Sequence, residues 1–231
     1  MIIMIFDTET TDLQKYPIEL HNIEDQPHII QFSYILYDIE KDKIIKTLNE
    51  YIKISPTIQI KELITNLTGI TNEICYQKGK LIENIINTFF SDLQNVELIV
   101  GHNITFDINM IIIELLRMVK NISKCNKTES EYMNLIETIK EKKTHCTMKT
   151  NIDYCAIICK NRYGREYYKY PKLSELHDKM FKYIPSDLHN SLCDVLICLK
   201  CYLYLVQNGR DISEEYNTEI SQLYNSIFHS K

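Results

Sequence analysis

The chain opens with Ile2-Ile3-Met4-Ile5-Phe6, an unbroken apolar run that passes directly into Asp7-Thr8-Glu9. The run is too short for a signal-peptide core and has no basic flank, so it reads as a buried strand. The acids that end it restrict the fold more than any other feature. Side chains two apart on a strand point the same way, about 6–7 Å apart. Two carboxylates closing a core strand are costly unless they are paired or hold a cation. Taken alone, Asp-x-Glu also suits a solvated strand end, with Asp7 and Thr8 starting a turn.

The arrangement recurs twice. The apolar residues 98–100 run into Gly101-His102-Asn103-Ile104-Thr105-Phe106-Asp107, which opens a helical pattern through Ile111, Leu115 and Met118. Asp107 falls near that helix's N-terminus, where the macrodipole favours an ionised carboxylate. Ordinary capping by Thr105 and Asp107 is the alternative. In His189-Asn190-Ser191-Leu192-Cys193-Asp194, the acid lies in the first turns of an apolar helix and the imidazole in the loop before it. The three segments together place four acids in an order that converges at one edge of a single sheet. Without cations such a cluster repels by several kcal/mol. Oxygen-only donors favour Mg²⁺ or Mn²⁺ over zinc. Two such ions about 3.5–4 Å apart suit in-line displacement at phosphorus by water.

The rest of the chain supplies a scaffold for such a site. Strand-like runs at 2–6, 29–37 and 44–54 precede a helix over 81–93, a short strand at 98–101 and a second helix. That is a mixed α/β order in which a hairpin precedes a crossover. Residues 120–145 are polar and read as an exposed insertion, partly helical. Helices follow over 172–183 and 190–206, with Gly209 as a stop for the latter. One domain over 1–210 is expected, followed by a polar helix or tail over 211–231.

Composition excludes several classes. Apolar residues make up 45% and charged residues 25% of the 231, the balance of a soluble globular protein. No apolar run approaches the roughly 18 residues of a membrane span. Eight cysteines without a secretion signal point to a reducing, intracellular setting, cytoplasmic or nuclear. Cys155/Cys159 and Cys198/Cys201 lack a second pair at zinc-finger spacing and read as small buried hydrophobes. The net charge of −5 argues against a protein that coats polyanions, but not against an enzyme whose acids hold cations.

The segments Asp7-Thr8-Glu9-Thr10-Thr11-Asp12-Leu13, 101–107 and 189–194 together resemble the three motifs of the DnaQ-like exonucleases. The His-x4-Asp ending is similar to the DEDDh branch of that family. Thr68-Gly69-Ile70-Thr71 and Pro171-Lys172-Leu173-Ser174-Glu175-Leu176 add to the resemblance, which spans roughly residues 1–206. It implies a ribonuclease-H-like five-stranded mixed sheet flanked by helices, and a 3′→5′ exonuclease releasing nucleoside 5′-monophosphates. By position, Asp7 would bridge two ions, Glu9 and Asp194 would hold the one that activates water, and Asp107 would bind the second. His189 would take the proton from that water. Thr10, Leu13, His102, Asn103 and Phe106 fall at substrate-contacting positions. Asp12 stands where the first motif commonly has Gly, and Asp tolerates a left-handed φ if one is needed there.

The resemblance implies a nucleic-acid 3′ end as substrate, DNA favoured over RNA. It also allows a DNA polymerase as a separate partner. The rival reading is a catalytically silent module that keeps the fold to bind an end or a polymerase; the intact Asp/Glu/Asp/His/Asp set argues against it. One further stretch stands out. Lys160, Arg162, Arg165, Lys169 and Lys172 interleave with Tyr163, Tyr167, Tyr168 and Tyr170, a pattern suited to a single strand. The same residues also suit a tyrosine-rich loop packed on the domain.

Overall fold

The N-terminal run is apolar throughout because both of its sides are covered. Ile3 and Ile5 face one hydrophobic core, Met4 and Phe6 the other. Such a strand belongs in the middle of a sheet with layers on both faces. The computed structural model describes residues 1–185, 189–215 and 218–228, with the backbone alone of Lys124, and shows that arrangement. The chain runs β1 (Ile2–Thr10), β2 (Ile29–Asp38), β3 (Lys43–Tyr51), α1 (Glu62–Thr68), α2 (Asn72–Lys78) and α3 (Ile82–Leu93). Next come β4 (Leu98–Gly101), α4 (Ile104–Lys120), α5 (Glu129–Glu141), β5 (Thr144–Cys146), α6 (Thr147–Thr150) and α7 (Ile152–Cys155). The last are β6 (Ile158–Lys160), β7 (Glu166–Tyr168), α8 (Leu173–Phe181), α9 (Ser191–Val206) and α10 (Glu219–Phe228).

The main sheet has the order β3-β2-β1-β4-β5. β1 is antiparallel to β2 and parallel to β4, so the sheet is mixed, as expected of a ribonuclease-H-like α/β fold. α3, α4 and α5 cover the Met4/Phe6 face; α9 and α10 cover the Ile3/Ile5 face. Phe89 of α3 sets its ring edge-on against Phe6 and Phe32, with centroids 5.2 and 5.4 Å away, and so seats that helix on the sheet. Among the described residues, no helix is long and apolar enough to cross a membrane.

Three expectations change. Residues 120–145 are not an exposed excursion: α5 buries Tyr132, Ile136 and Ile139 in the core beside α4, and β5 forms the sheet edge. Thr128 and Glu131 cap α5 reciprocally, so a capping box followed by apolar residues four and three apart was the signal present in the sequence. Residues after 210 hold a helix, α10, one of the two expected alternatives, but it is packed on the sheet rather than peripheral. Ile212, Ile220 and Tyr224 share a core with Ile3 and Ile5, and no packing boundary falls at 210. The third run stops as a strand at Tyr51, after which Ile52 bridges to Lys80.

Candidate active site

The alternation that divides β1 between two cores also sorts its acids. Asp7 and Glu9 continue the Ile3/Ile5 side, toward α9; Thr8 continues the Met4/Phe6 side, toward α4. Each helix begins there. Asn103, held at φ 68°, turns the chain from β4 into α4 and places Asp107 in its first turn. The Thr8 backbone N–H (3.0 Å) and hydroxyl (2.8 Å) both donate to Asp107 Oδ1. Asn190 caps α9 by accepting from Leu192 N, and Asp194 follows one turn later. His189 has a left-handed φ of 71°, and its backbone N–H donates to Asp194 Oδ2 at 3.2 Å. Glu9, His189 and Asp194 can each present one ligand atom such that all three atoms lie within 4.8 Å of one another.

The four carboxylates are poorly solvated and close to one another. Burial, then repulsion by Asp107, Asp194 and Glu9, holds Asp7 well above the ordinary carboxylate range. Glu9 is pushed up to about 9 by burial and by Asp194 and Asp107. Burial raises Asp107 and Asp194 each to about 7, opposed by the hydrogen bonds from Thr8 and from the His189 backbone. Among the described residues no lysine or arginine is ion-paired with any of the four, and no cation contributes to these shifts. The geometry therefore favours an added divalent cation. Partial desolvation and the charge of Lys172 hold the His189 imidazole below its ordinary pKa, which favours the neutral, proton-accepting form.

A polar network that sequence reasoning missed holds the start of α9 against the sheet. Ser33 pairs with Asp7 and Gln31 with Glu9 across β1 and β2. Ser191 Oγ lies 2.6 Å from Ser33 Oγ, and Ser33 Oγ donates to Asn49 Oδ1 at 2.9 Å. Gln31 Nε2 donates to the same Asn49 oxygen at 2.9 Å, while Gln31 Oε1 accepts from Ser191 N at 3.3 Å. Gln31, Ser33 and Ser191 are all buried. The signal was the switch from Ile35 and Tyr37 to Ser33 and Gln31 along one side of β2, which places polar groups where apolar ones would otherwise sit.

The other expected contacts divide. Leu13 is 74% exposed, just after the turn that ends β1. Thr10 spends its hydroxyl on Asp12 O (2.7 Å), and Asp12 accepts from Leu13 N and pairs with Lys61. Asp12 is not among the left-handed positions, so no positive φ is needed there. Asn103 supplies the turn into α4, and Phe106 is half-buried against the sheet core. His102 does not offer its ring to a ligand: Nε2 lies 3.0 Å from Pro171 O and Nδ1 3.0 Å from Thr147 Oγ1. Burial lowers its pKa to about 4, so a neutral ring donates to the carbonyl and accepts from the threonine. Arg162, Arg165 and Tyr167 lie on the exposed β6–β7 hairpin rather than in the cluster.

Against known proteins, residues 4–202 match the family model described as exonuclease, RNase T type. The chain belongs to the exonuclease family. Among curated relatives of this exonuclease-family chain, the PolC-type DNA polymerase III of Pediococcus pentosaceus is 33% identical over 108 residues. That match covers 47% of this chain and 6% of the polymerase. Among solved structures, E. coli exonuclease I with a dT13 oligonucleotide superposes with a TM-score of 0.60 at 16% identity, over 90% of this chain and 42% of that one. The same enzyme with dA16 gives 0.57 at 15% identity, over 98% and 42%. Its zinc-bound single-stranded DNA complex gives 0.59 at 16%, over 90% and 41%. The exonuclease fold is shared, and the chain spans about two-fifths of the length of exonuclease I.

Proposed function

We propose that the chain is a divalent-cation-dependent 3′→5′ exonuclease that hydrolyses the terminal phosphodiester of a nucleic acid and releases nucleoside 5′-monophosphates. The observation that carries this reading is the convergence of four desolvated carboxylates with no lysine or arginine paired to them among the described residues. Asp7, Glu9, Asp107 and Asp194 fit two Mg²⁺ or Mn²⁺ ions, being hard oxygen donors with excess charge. Such ions, when bound, polarise the scissile phosphate and make water a better nucleophile. The chain's own residues do the rest. Thr8 fixes the orientation of Asp107, and Asp194 fixes the backbone of His189. The His189 imidazole takes a proton from the attacking water as its oxygen bonds to phosphorus; the 3′ oxygen of the preceding nucleotide leaves with the electrons of the broken P–O bond and takes a proton from solvent.

Exonuclease I carries dT13 or dA16 in its structures, which supports a single-stranded DNA end as substrate. The PolC-type relative supports a working association with a DNA polymerase. The test is hydrolysis of oligonucleotides labelled at either end, in Mg²⁺ or Mn²⁺ and in chelator. A 5′ label should yield a ladder of progressively shorter products, and a 3′ label should leave at once as a mononucleotide. His189→Ala should lower kcat by about 10²–10⁴ with little change in substrate affinity. Internal cuts, or turnover undiminished in chelator, contradict the reading.

A further inference from the structure

The 15 residues 158–172 carry five cations and one acid in a chain whose net charge is −5. They form the β6–β7 ribbon and the irregular stretch that leads from it to α8. Asn161 shapes the turn, its side-chain oxygen accepting from Tyr163 N (2.9 Å) and Arg165 N (3.1 Å), with Gly164 at φ 78°. The turn thus presents Arg162 and Tyr163 together, the guanidinium 4.7 Å from the ring centroid. Lys160 pairs with Glu166 (3.5 Å) and Lys169 with Glu175 (2.5 Å), but neither Arg162 nor Arg165 is ion-paired among the described residues.

Two contrasts inside the molecule make this segment unusual. The chain has four arginines, and the two outside the hairpin are structural clamps: Arg117 on Glu114, Arg210 on Asp42 and Glu215. Tyrosines that stabilise the fold, Tyr34, Tyr37, Tyr132 and Tyr224, are fully buried, whereas Tyr163 is 77% exposed and Tyr167, Tyr168 and Tyr170 are about half exposed. Tyr167 and Tyr168 line a shallow cleft of about 280 Å³ with Ile158 and Glu166. The segment is also tied to the carboxylate cluster. Pro171 O accepts from His102, at the end of β4, and the charge of Lys172 acts on His189.

We propose that this hairpin is a platform for single-stranded nucleic acid, its arginines on phosphates and its tyrosines on base faces, upstream of the 3′ end held at the carboxylates. The proposal rests on the exonuclease reading for the strand's direction. Exposed cations without acidic partners, alternating with exposed rings, complement a polyanion whose bases are unpaired. A protein partner would leave the affinity for nucleic acid independent of these residues.

Fluorescence anisotropy of labelled oligo(dT)15 with the full chain, in chelator and across a salt series, tests the proposal without requiring hydrolysis. Arg162→Ala with Arg165→Ala should weaken binding and make the salt slope shallower by roughly 0.7 per lost phosphate contact. Arg162→Lys with Arg165→Lys should restore most of the slope, because the charge is kept. Tyr163→Ala or Tyr167→Ala should weaken binding roughly 5- to 150-fold where the ring stacks a base. The wild type should prefer oligo(dT)15 to oligo(dT)3, and the arginine pair of substitutions should shrink that preference. Unchanged affinity and slope in the alanine variants overturn the platform. If the chain hydrolyses oligonucleotides and those variants still bind as wild type, the hairpin proposal alone fails. If it hydrolyses nothing, the binding arm still decides the platform.

Discussion

The molecule buries charge in two different ways. On α4, Glu114 and Arg117 are both buried and paired at 2.7 Å, and Arg117 also donates to the carbonyls of Gln26 and Pro27. On α9, the fully buried Lys200 meets Asp211 at 3.1 Å, donates to Tyr183 and Ser213 at 2.9 Å, and lies 3.9 Å from the Phe181 ring centroid. Asp107 lies two turns before Glu114 on one helix, and Asp194 six residues before Lys200 on the other. There, among the described residues, no lysine or arginine pairs with the four carboxylates. Where buried charge serves the fold, the chain supplies the opposite charge itself; at the cluster the described residues supply none, and the proposed cations would fill that role.

The comparison breaks most sharply if activity and stability fail to separate. Asp7→Ala should cut turnover by at least about 10³, the loss of several kcal/mol of charge stabilisation. In chelator the same variant should melt at or above the wild-type temperature, since a like charge is gone. Arg117→Met should do the reverse. Leaving Glu114 buried and unpaired costs about 3–5 kcal/mol, readable by chemical denaturation. Glu114→Leu added to Arg117→Met should recover much of that loss; a double variant as unstable as the single would show that the pair is not the unit.

Smaller effects sharpen the boundary. Ser191→Ala removes one link between α9 and β2 and should cost about 1 kcal/mol of stability. Its apparent requirement for Mg²⁺ should rise more than its KM for the oligonucleotide, because Asp194 loses its anchorage. Ser191→Thr should restore the Mg²⁺ requirement if the hydroxyl is what matters. Near neutral pH the smallest effect belongs to His177, packed between Phe181 and Tyr183 and facing Lys200. Burial lowers its pKa to about 4, aided by Lys200 and opposed by the Tyr183 carbonyl. Its contribution to stability is present above the unfolded value of about 6.5 and is lost as pH falls through about 4. Denaturation midpoints at pH 7 and pH 5 should therefore differ less in His177→Phe than in wild type.

The sheet's centre was legible because Ile3, Met4, Ile5 and Phe6 leave no polar face, and such a run has one place to go. The acids were legible because each breaks an apolar element where a polar residue is costly. β5 was not, since Thr144, His145 and Cys146 carry no alternation, and their pairing with β4 is decided by the neighbouring strand. α10 was expected only as a polar helix or tail, and its burial was hidden for a related reason. Its buried positions, Ile220, Ser221 and Tyr224, sit in a polar sequence, and their apolar partners lie far away on β1 and β2. His102 misled because an imidazole inside a motif looks available, while its partners, Thr147 and Pro171, are remote in sequence. The Gln31–Ser33–Asn49–Ser191 network likewise joins three elements that only the fold brings together.

If the reading of the cluster is right, divalent cations supply its missing positive charge. Mn²⁺ binding to the full chain, followed by electron paramagnetic resonance or calorimetry without nucleic acid, addresses it most directly. Saturable binding approaching two ions per chain is expected. Asp7→Ala should weaken or abolish that binding, while Glu114→Leu with Arg117→Met should leave it intact. Mn²⁺ binding that is absent at millimolar concentration, or unchanged in Asp7→Ala, would contradict it.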